Sequence, residues 1–209
     1  MIDTYQMKNK LIVFEGIEGC GKTTQIHLCY QWLQSLNLPV ILTHEPGGTE
    51  LGKDIRELLL DKSPHKTTEL LLYAADRAQH TEEILKPALA TGKYVLCDRF
   101  SDSTIAYQGY GRGIKIDLIH KLNQIATNGL KPDVTIWIDV DVETGLSRKL
   151  KQKRLDRIEE EAIEFHDRVR FGYLTMYLIQ PSLIVRINGT KQQEIVQQNI
   201  QDTLKKYLF

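Results

Sequence analysis

Gly16-Ile17-Glu18-Gly19-Cys20-Gly21-Lys22-Thr23 matches the pattern G-x-x-x-x-G-K-S/T. The apolar run Leu11 to Phe14 precedes it and an amphipathic stretch follows it, which is the strand, loop and helix context that the pattern requires. Glycines let successive backbone N–H groups point at phosphate oxygens, while Lys22 reaches the β and γ phosphates and the Thr23 hydroxyl is placed to bind Mg²⁺. A chance Gly-rich turn is the alternative, and the flanking strand and helix argue against it. Residues 16–23 are therefore predicted to form a nucleotide-binding phosphate loop.

Apolar runs and helical periods alternate along the rest of the chain. After the first run, four more predict buried strands, at residues 40–42, 94–97, 134–138 and 183–187. Between them, apolar residues recur at three- and four-residue intervals, as helices require. This alternation predicts an α/β fold of the P-loop NTPase type, with a five-stranded parallel sheet flanked by helices in one domain, residues 1–209.

Composition narrows the class of ligand. Lys plus Arg equals Asp plus Glu at 27 each, so no overall basic field exists to hold a nucleic acid or an anionic membrane, and the ligand should be small. Three scattered cysteines argue against a disulfide framework, and residues 1–10 are polar, unlike a signal peptide or membrane span. We expect a cytoplasmic protein. Its six histidines lack metal-binding spacing.

Two segments between the first and third strands are candidates for a binding site. Glu45-Pro46-Gly47-Gly48-Thr49 follows the second strand at its carboxyl end, where ligands bind in open α/β sheets, although an ordinary Pro-Gly turn has the same composition. Tyr73 and Arg77 are four residues apart, which places an aromatic ring and a cation on one helix face. A core aromatic beside an exposed cation is the structural alternative.

The third predicted strand ends in Asp98-Arg99. An apolar strand ending in Asp is typical of a Walker B element, whose carboxylate holds Mg²⁺ directly or through water. Many strand-end aspartates only cap a turn, but the phosphate loop favours the functional interpretation. Arg99 can neutralise phosphate charge. The polar residues that follow suggest a lined pocket; they are Ser101, Asp102, Ser103, Thr104, Tyr107, Gln108 and Arg112.

The stretch L-C-D-R-F-S-D-S-T-I-A-Y-Q, residues 96–108, resembles the signature of thymidylate kinases. Residues 45–49, 73–77 and 128–133 resemble the other blocks of that family in the expected order, and the similarity runs from about Leu11 to the end. The phosphate loop is shared with many NTPases, whereas the block from Asp98 is narrow in its distribution. The resemblance implies transfer of the γ-phosphoryl group of ATP to dTMP with Mg²⁺, giving dTDP, in a homodimer.

The resemblance also implies roles for individual residues. No general base is needed because the acceptor is an ionised phosphate, and Lys22 and Arg99 supply positive charge. Glu18 is expected to face the sugar 3′-hydroxyl of the acceptor or its water shell, and Asn188-Gly189-Thr190 to lie near adenine. The implied contacts of dTMP are Tyr73 stacked on thymine; Arg77, Thr104 and Gln108 at its edge; Tyr107 at the ribose 2′ position; Arg56 and Arg99 at the phosphate; and Glu45 and Ser103 nearby.

A basic run, Arg148-Lys149-Leu150-Lys151-Gln152-Lys153-Arg154, holds five cations in seven residues. Such a run is usually a solvated face. Because D-R-I-E follows it and resembles the lid of the family, we expect a mobile lid at about 145–158, with Arg148, Lys153 and Arg154 as catalytic candidates. Bacterial relatives usually carry a recognisable lid arginine where this chain has Gln152, so the sequence leaves open which cation acts.

Two other functions compete with this interpretation. Another P-loop nucleoside monophosphate kinase is the nearer one, and the block from Asp98 to Gln108 argues against it. A GTPase acting as a binding switch would need a guanine-reading N-K-x-D sequence, which the chain lacks.

Overall fold

The computed structural model describes residues 10–150 and 157–208. Its centre is a five-stranded sheet in the order β2-β3-β1-β4-β5, in which all pairings are parallel. This confirms the predicted α/β fold with a five-stranded parallel sheet. The strands are β1 (Leu11–Glu15), β2 (Val40–His44), β3 (Tyr94–Asp98), β4 (Val134–Asp139) and β5 (Ile184–Asn188).

Helices cover both faces of the sheet and two of them continue as π-helical turns. The turn Thr81–Leu85 extends α3, and the turn Ile105–Gly111 extends α5. Among the described residues, no helix has both the length and the apolar character needed to cross a bilayer. The helices are α1 (Lys22–Ser35), α2 (Glu50–Asp61), α3 (Lys66–His80), α4 (Lys86–Ala90), α5 (Ser101–Thr104), α6 (Ile116–Thr127), α7 (Val142–Leu150), α8 (Ile163–Ile179) and α9 (Gln193–Leu208).

Strand β1 is the centre of the core. Its side chains point alternately to the two faces of the sheet, so that Ile12 and Phe14 join the larger apolar cluster while Leu11 and Val13 join the smaller one. All five of its residues are buried. A strand covered on both faces is apolar along most of its length, which is why Leu11 to Phe14 form a continuous apolar run rather than an alternation.

The phosphate loop begins where β1 ends. A Cβ atom at Gly16 would lie 2.5 Å from the carbonyl oxygen of Ile138, and one at Gly19 would lie 1.9 Å from that of Gly145. Both glycines also have positive φ, at 144° and 69°. The loop therefore packs backbone against backbone on β4 and α7, and only glycine fits at these two positions.

The side chain of Glu15, at the end of β1, ties the loop region to the segment after β3. One carboxylate oxygen accepts from the backbone N–H groups of Phe100 and Ser103, at 2.9 and 3.1 Å. The other accepts from the hydroxyls of Ser103 and Tyr173, at 2.6 and 2.7 Å. Arg99, just before these bonds, has the uncommon φ of 72°. The bonds of Glu15 therefore hold the turn that aims Arg99.

Replacing Glu15 by alanine should strongly destabilise the fold. Two buried N–H groups and two hydroxyls would lose their acceptor, and we expect the free energy of unfolding to fall by about 3 to 5 kcal/mol. Urea denaturation measures it. The control is Glu57→Ala, because Glu57 is exposed on α2, with an expected change of about 0.5 kcal/mol or less. A loss below about 1 kcal/mol for Glu15→Ala would contradict the anchoring role.

Candidate active site

A cavity of about 900 Å³ opens at the carboxyl edge of the sheet, and we call it the central cavity. Parallel strands place their carboxyl ends together there, and Asp98 of β3 pairs in register with both Phe14 and His44. Among the residues predicted from the sequence, those that line the cavity are Glu18, Gly19, Cys20, Gly21, Lys22, Thr23, Glu45, Arg56, Tyr73, Arg77, Asp98, Arg99, Ser103, Thr104, Tyr107, Gln108 and Arg148.

Gly189 lines the cavity as well, but several other predicted residues do not; they are Gly16, Ile17, Ser101, Asp102, Arg112, Asn188 and Thr190. Gly16 and Ile17 begin the phosphate loop, and their carbonyl oxygens accept from Lys22 Nζ at 2.8 and 3.1 Å. Lys153 and Arg154 fall outside the described residues. Lys22 is only 7% exposed, and its ammonium group is held by the loop itself.

The two residues that the sequence predicts as metal ligands, Thr23 and Asp98, are in contact. The Thr23 hydroxyl donates to an Asp98 carboxylate oxygen at 3.4 Å, although the two residues are 75 positions apart. A hydroxyl and a carboxylate are hard oxygen donors of the kind that Mg²⁺ takes in phosphate-binding sites. The donor set therefore fits Mg²⁺.

Glu18, Arg99 and Tyr107, which all line the cavity, are bonded to one another. Arg99 Nη2 donates to Glu18 Oε1 at 2.7 Å and to the Tyr107 hydroxyl at 3.1 Å, and that hydroxyl donates to Glu18 at 2.7 Å. Burial raises the pKa of Glu18, but the charges of Arg99 and Lys22 and the Tyr107 bond outweigh it, so its pKa lies below the usual range. Glu18 is therefore ionised, and its negative charge orients the guanidinium of Arg99.

Arg77 is buried and almost fully bonded. Its Nε donates to Glu45 at 2.8 Å, Nη1 donates to Thr104 and Asn123 at 2.7 and 2.8 Å, and Nη2 donates to the carbonyl oxygen of Phe100 at 2.9 Å. An arginine has five N–H donors, and one on Nη2 has no partner among the described residues. The network fixes the guanidinium plane against the cavity wall.

Glu45 lines the cavity and is also bonded to this arginine. Its second oxygen lies 2.8 Å from His80 Nδ1, and His80 Nε2 lies 2.7 Å from the Thr43 hydroxyl. Both carboxylate oxygens thus have protein partners. His80 and Asn123 support the site, but sequence reasoning missed them because helix periodicity does not show which partner a buried polar group meets.

Tyr73 and Arg56 also line the central cavity. Burial and the negative charge of Glu69 raise the pKa of the Tyr73 phenol to about 12, so it stays neutral and its ring offers an apolar surface. Arg56 is exposed, and its Nη1 donates to the carbonyl oxygen of Pro46 at 2.9 Å. Arg56 is thus a solvated cation at the rim.

The π-helical turn Ile105–Gly111 carries both Tyr107 and Gln108 into the cavity wall. A π turn adds one residue to a helical turn, and such turns occur frequently at functional sites. Gln108 Nε2 donates to Glu69 Oε1 at 2.9 Å. Glu69, on α3, is another buried partner that sequence reasoning missed.

The end of α7 lies against the phosphate loop. Arg148 Nη1 donates to the carbonyl oxygen of Gly189 at 3.1 Å and lies 3.5 Å from that of Gly19. Lys149 forms an ion pair with Glu159 at 2.7 Å. These cations of the basic run have protein partners, whereas the rest of the run, residues 151–154, falls outside the described residues.

Comparisons with known proteins all find one family. The family model for thymidylate kinases matches residues 14–200. The chain is 59% identical over 207 residues to the thymidylate kinase of Nostoc punctiforme, covering 97% of this chain and 98% of the relative. It is 58% identical to that of Trichormus variabilis, with the same coverage. A crystal structure of the Ehrlichia chaffeensis thymidylate kinase is similar, with a TM-score of 0.79, 38% identity, and coverage of 94% of this chain and 98% of that one.

A buried carboxyl beside Arg77 makes stability depend on pH. Asp76 accepts from the backbone N–H of Gly47 at 2.9 Å, while its other oxygen has no partner among the described residues. Burial and the nearby charge of Glu45 raise the pKa of Asp76 from 3.8 to about 6. A folded-state pKa above the unfolded one means that ionisation opposes folding, and the penalty grows from about pH 4 to its full size above pH 6.

Asp76→Asn removes this penalty and should therefore stabilise the folded protein most at high pH. Between pH 4.5 and 7.5, we expect the stability of the variant relative to wild type to rise by about 2 kcal/mol, from a pKa of about 6 against 3.8. Denaturant unfolding of both proteins at the two pH values measures it. An equal difference at both values would show that Asp76 does not titrate in this range.

Proposed function

The chain belongs to the thymidylate kinase family and phosphorylates dTMP, and from this premise we propose that ATP is the phosphoryl donor and that Mg²⁺ accompanies it. One observation carries the proposal: a phosphate loop and the block from Asp98 to Gln108 line a single cavity. Two nucleotides bound at its two ends would meet at their phosphates.

The phosphate loop binds the donor. Its N–H groups and the amino end of α1 attract the phosphates of ATP, and Lys22 exchanges the carbonyl oxygens of Gly16 and Ile17 for phosphate oxygens. Thr23 and Asp98 would hold the metal ion. When bound, Mg²⁺ neutralises charge on the transferring phosphate.

Arg99 binds the acceptor phosphate on the opposite side. An ionised phosphate oxygen of dTMP attacks the γ phosphorus, a new P–O bond forms, and the bond to the oxygen bridging the β and γ phosphorus atoms breaks, so that the electron pair leaves with ADP. No proton needs to be removed from the acceptor. The chain instead holds two polyanions in line, with Lys22 and Arg99 offsetting their repulsion.

The remaining cavity wall holds the nucleoside. We assign Tyr73 to the face of thymine, Arg77, Thr104 and Gln108 to its edge with Ser103 beside them, and Arg56 to the phosphate. Glu45 acts through Arg77, because both of its oxygens have protein partners. Tyr107 is assigned to the ribose 2′ position and Glu18 to the 3′-hydroxyl, each also bonded to Arg99.

The segment 145–158 is assigned as a lid in this single domain. Arg148, already bonded beside the phosphate loop, is a catalytic candidate together with Lys153 and Arg154. Closure would exclude the water that hydrolyses ATP. Balanced charge and three free cysteines support small-molecule substrates and a reducing, cytoplasmic location.

An assay of ADP release with each nucleoside monophosphate in turn tests this function. We expect dTMP to be the preferred acceptor, and Lys22→Ala to lower kcat by about 10² to 10⁴-fold, as expected when one preorganised charge is removed from a water-excluded site. The variant should keep the circular dichroism spectrum of the wild type. Turnover within about threefold of wild type in the folded variant, or preference for another acceptor, would overturn the proposal.

A homodimer is proposed from an apolar surface on α3 and α6. Ile125 is 75% exposed, Leu71 is 52% exposed and Leu118 is 45% exposed, and the two helices that carry them pack together. Exposed apolar patches of this kind mark interaction sites, and a second copy can bury them through a twofold interface.

Ile125→Asp should convert the dimer to a monomer, because a buried unpaired carboxylate at the interface is costly. Analytical ultracentrifugation at micromolar concentration measures the mass. Ile195→Asp is the matched control, since Ile195 is 47% exposed on α9. A wild-type monomer, or an unchanged dimer of the Ile125 variant, would sink this assignment.

A further inference from the structure

Glu69 controls which way the side-chain amide of Gln108 points. A carboxylate only accepts hydrogen bonds, and Gln108 Nε2 donates to Glu69 Oε1 at 2.9 Å. Rotating the amide by half a turn would place two oxygens against each other. The contact therefore locks the NH₂ group of Gln108 towards α3.

This contact holds the Gln108 amide in one orientation only if Glu69 is ionised, and the groups around Glu69 keep it ionised. Glu69 is 1% exposed, and burial raises its pKa, but bonds from Gln108, Arg112 and Arg157 outweigh this effect and leave its pKa below the usual range. Arg112 Nε lies 3.2 Å from one oxygen, and Arg157 Nη2 lies 2.6 Å from the other. Two arginines thus keep the carboxylate charged.

The carbonyl oxygen of Gln108 is consequently left for a ligand. It has no hydrogen-bond partner among the described residues, and it is not sealed from solvent. Gln108 lines the central cavity, as do Tyr73 and Arg77. The wall therefore presents an acceptor from Gln108 and a donor from the unused N–H of Arg77.

This pair of groups matches one pyrimidine edge. Thymine offers a donor at N3 and an acceptor at O4, whereas cytosine offers an acceptor at N3 and a donor at its amino group. We propose that Glu69 is a positioning residue, an inference that rests on the proposed function. By holding the amide of Gln108 in one orientation, Glu69 makes the acceptor site select thymine over cytosine. Uracil has the same edge as thymine, so Glu69 does not affect discrimination against dUMP.

Glu69→Gln tests this role because it keeps the shape and removes the lock. In this variant Arg157 donates to the oxygen of the new amide at position 69. The NH₂ group of that amide then faces Gln108 and favours the reversed orientation of the Gln108 amide. We expect the ratio of kcat/KM for dTMP over dCMP to fall by about ten- to a hundredfold, the effect of one mismatched polar contact in a dry site. The ratio for dTMP over dUMP should stay within about twofold.

Two further variants separate orientation from general damage. Arg112→Gln removes a charge partner of Glu69 but leaves the bond to Gln108, so the dTMP to dCMP ratio should remain that of wild type. Glu69→Gln combined with Gln108→Glu exchanges donor and acceptor. The carboxylate now at position 108 accepts from the new amide and still presents an oxygen to the cavity, so selectivity for dTMP should return.

The outcomes distinguish this inference from the function on which it rests. A wild-type protein that does not prefer dTMP overturns the proposed function itself. If wild type prefers dTMP and folded Glu69→Gln keeps its dTMP to dCMP ratio, or loses selectivity against dUMP equally, the role of Glu69 is wrong. Should Glu69→Gln fail to fold, the double variant decides, and a double variant lacking wild-type selectivity overturns the inference.

Discussion

The buried carboxylate of Glu15 is the contact on which the geometry of the site depends. By accepting from two backbone N–H groups and two hydroxyls, it joins the end of β1 to the turn after β3 and to α8. The phosphate loop starts one residue later, and Arg99 sits in that turn with positive φ. One side chain therefore links the strand that leads into the phosphate loop to the segment that carries Arg99.

The cations of the site are held by protein partners before any phosphate arrives. Lys22 is bonded to carbonyls of its own loop, Arg99 to Glu18 and Arg77 to Glu45. Holding each charge in place lowers the reorganisation needed when a polyanion binds. The same carboxylates limit the net charge of the empty cavity, so that selectivity depends on geometry as well as on attraction.

The sequence predicted the sheet and most residues of the cavity, and the reasons are physical. Each of the five strands carries a short apolar run, which made all five visible, and the phosphate loop has a fixed spacing. Residues 50–91 have a helical pattern throughout. That pattern did not reveal that the helical structure is interrupted at residues 62–65 or that it contains a π-helical turn. Nor did it reveal Glu69 or His80 as partners of the site, because such contacts join segments distant in sequence, and a charged residue inside a helix usually faces solvent.

The central claim is that donor and acceptor occupy two ends of one cavity, with their phosphates between Lys22 and Arg99. Calorimetric titration with a ligand that joins adenosine to thymidine through five phosphates tests it most directly. One molecule should bind per chain, and either ATP or dTMP alone should compete with it. Competition by only one of the two nucleotides, or two molecules bound per chain, would contradict the account.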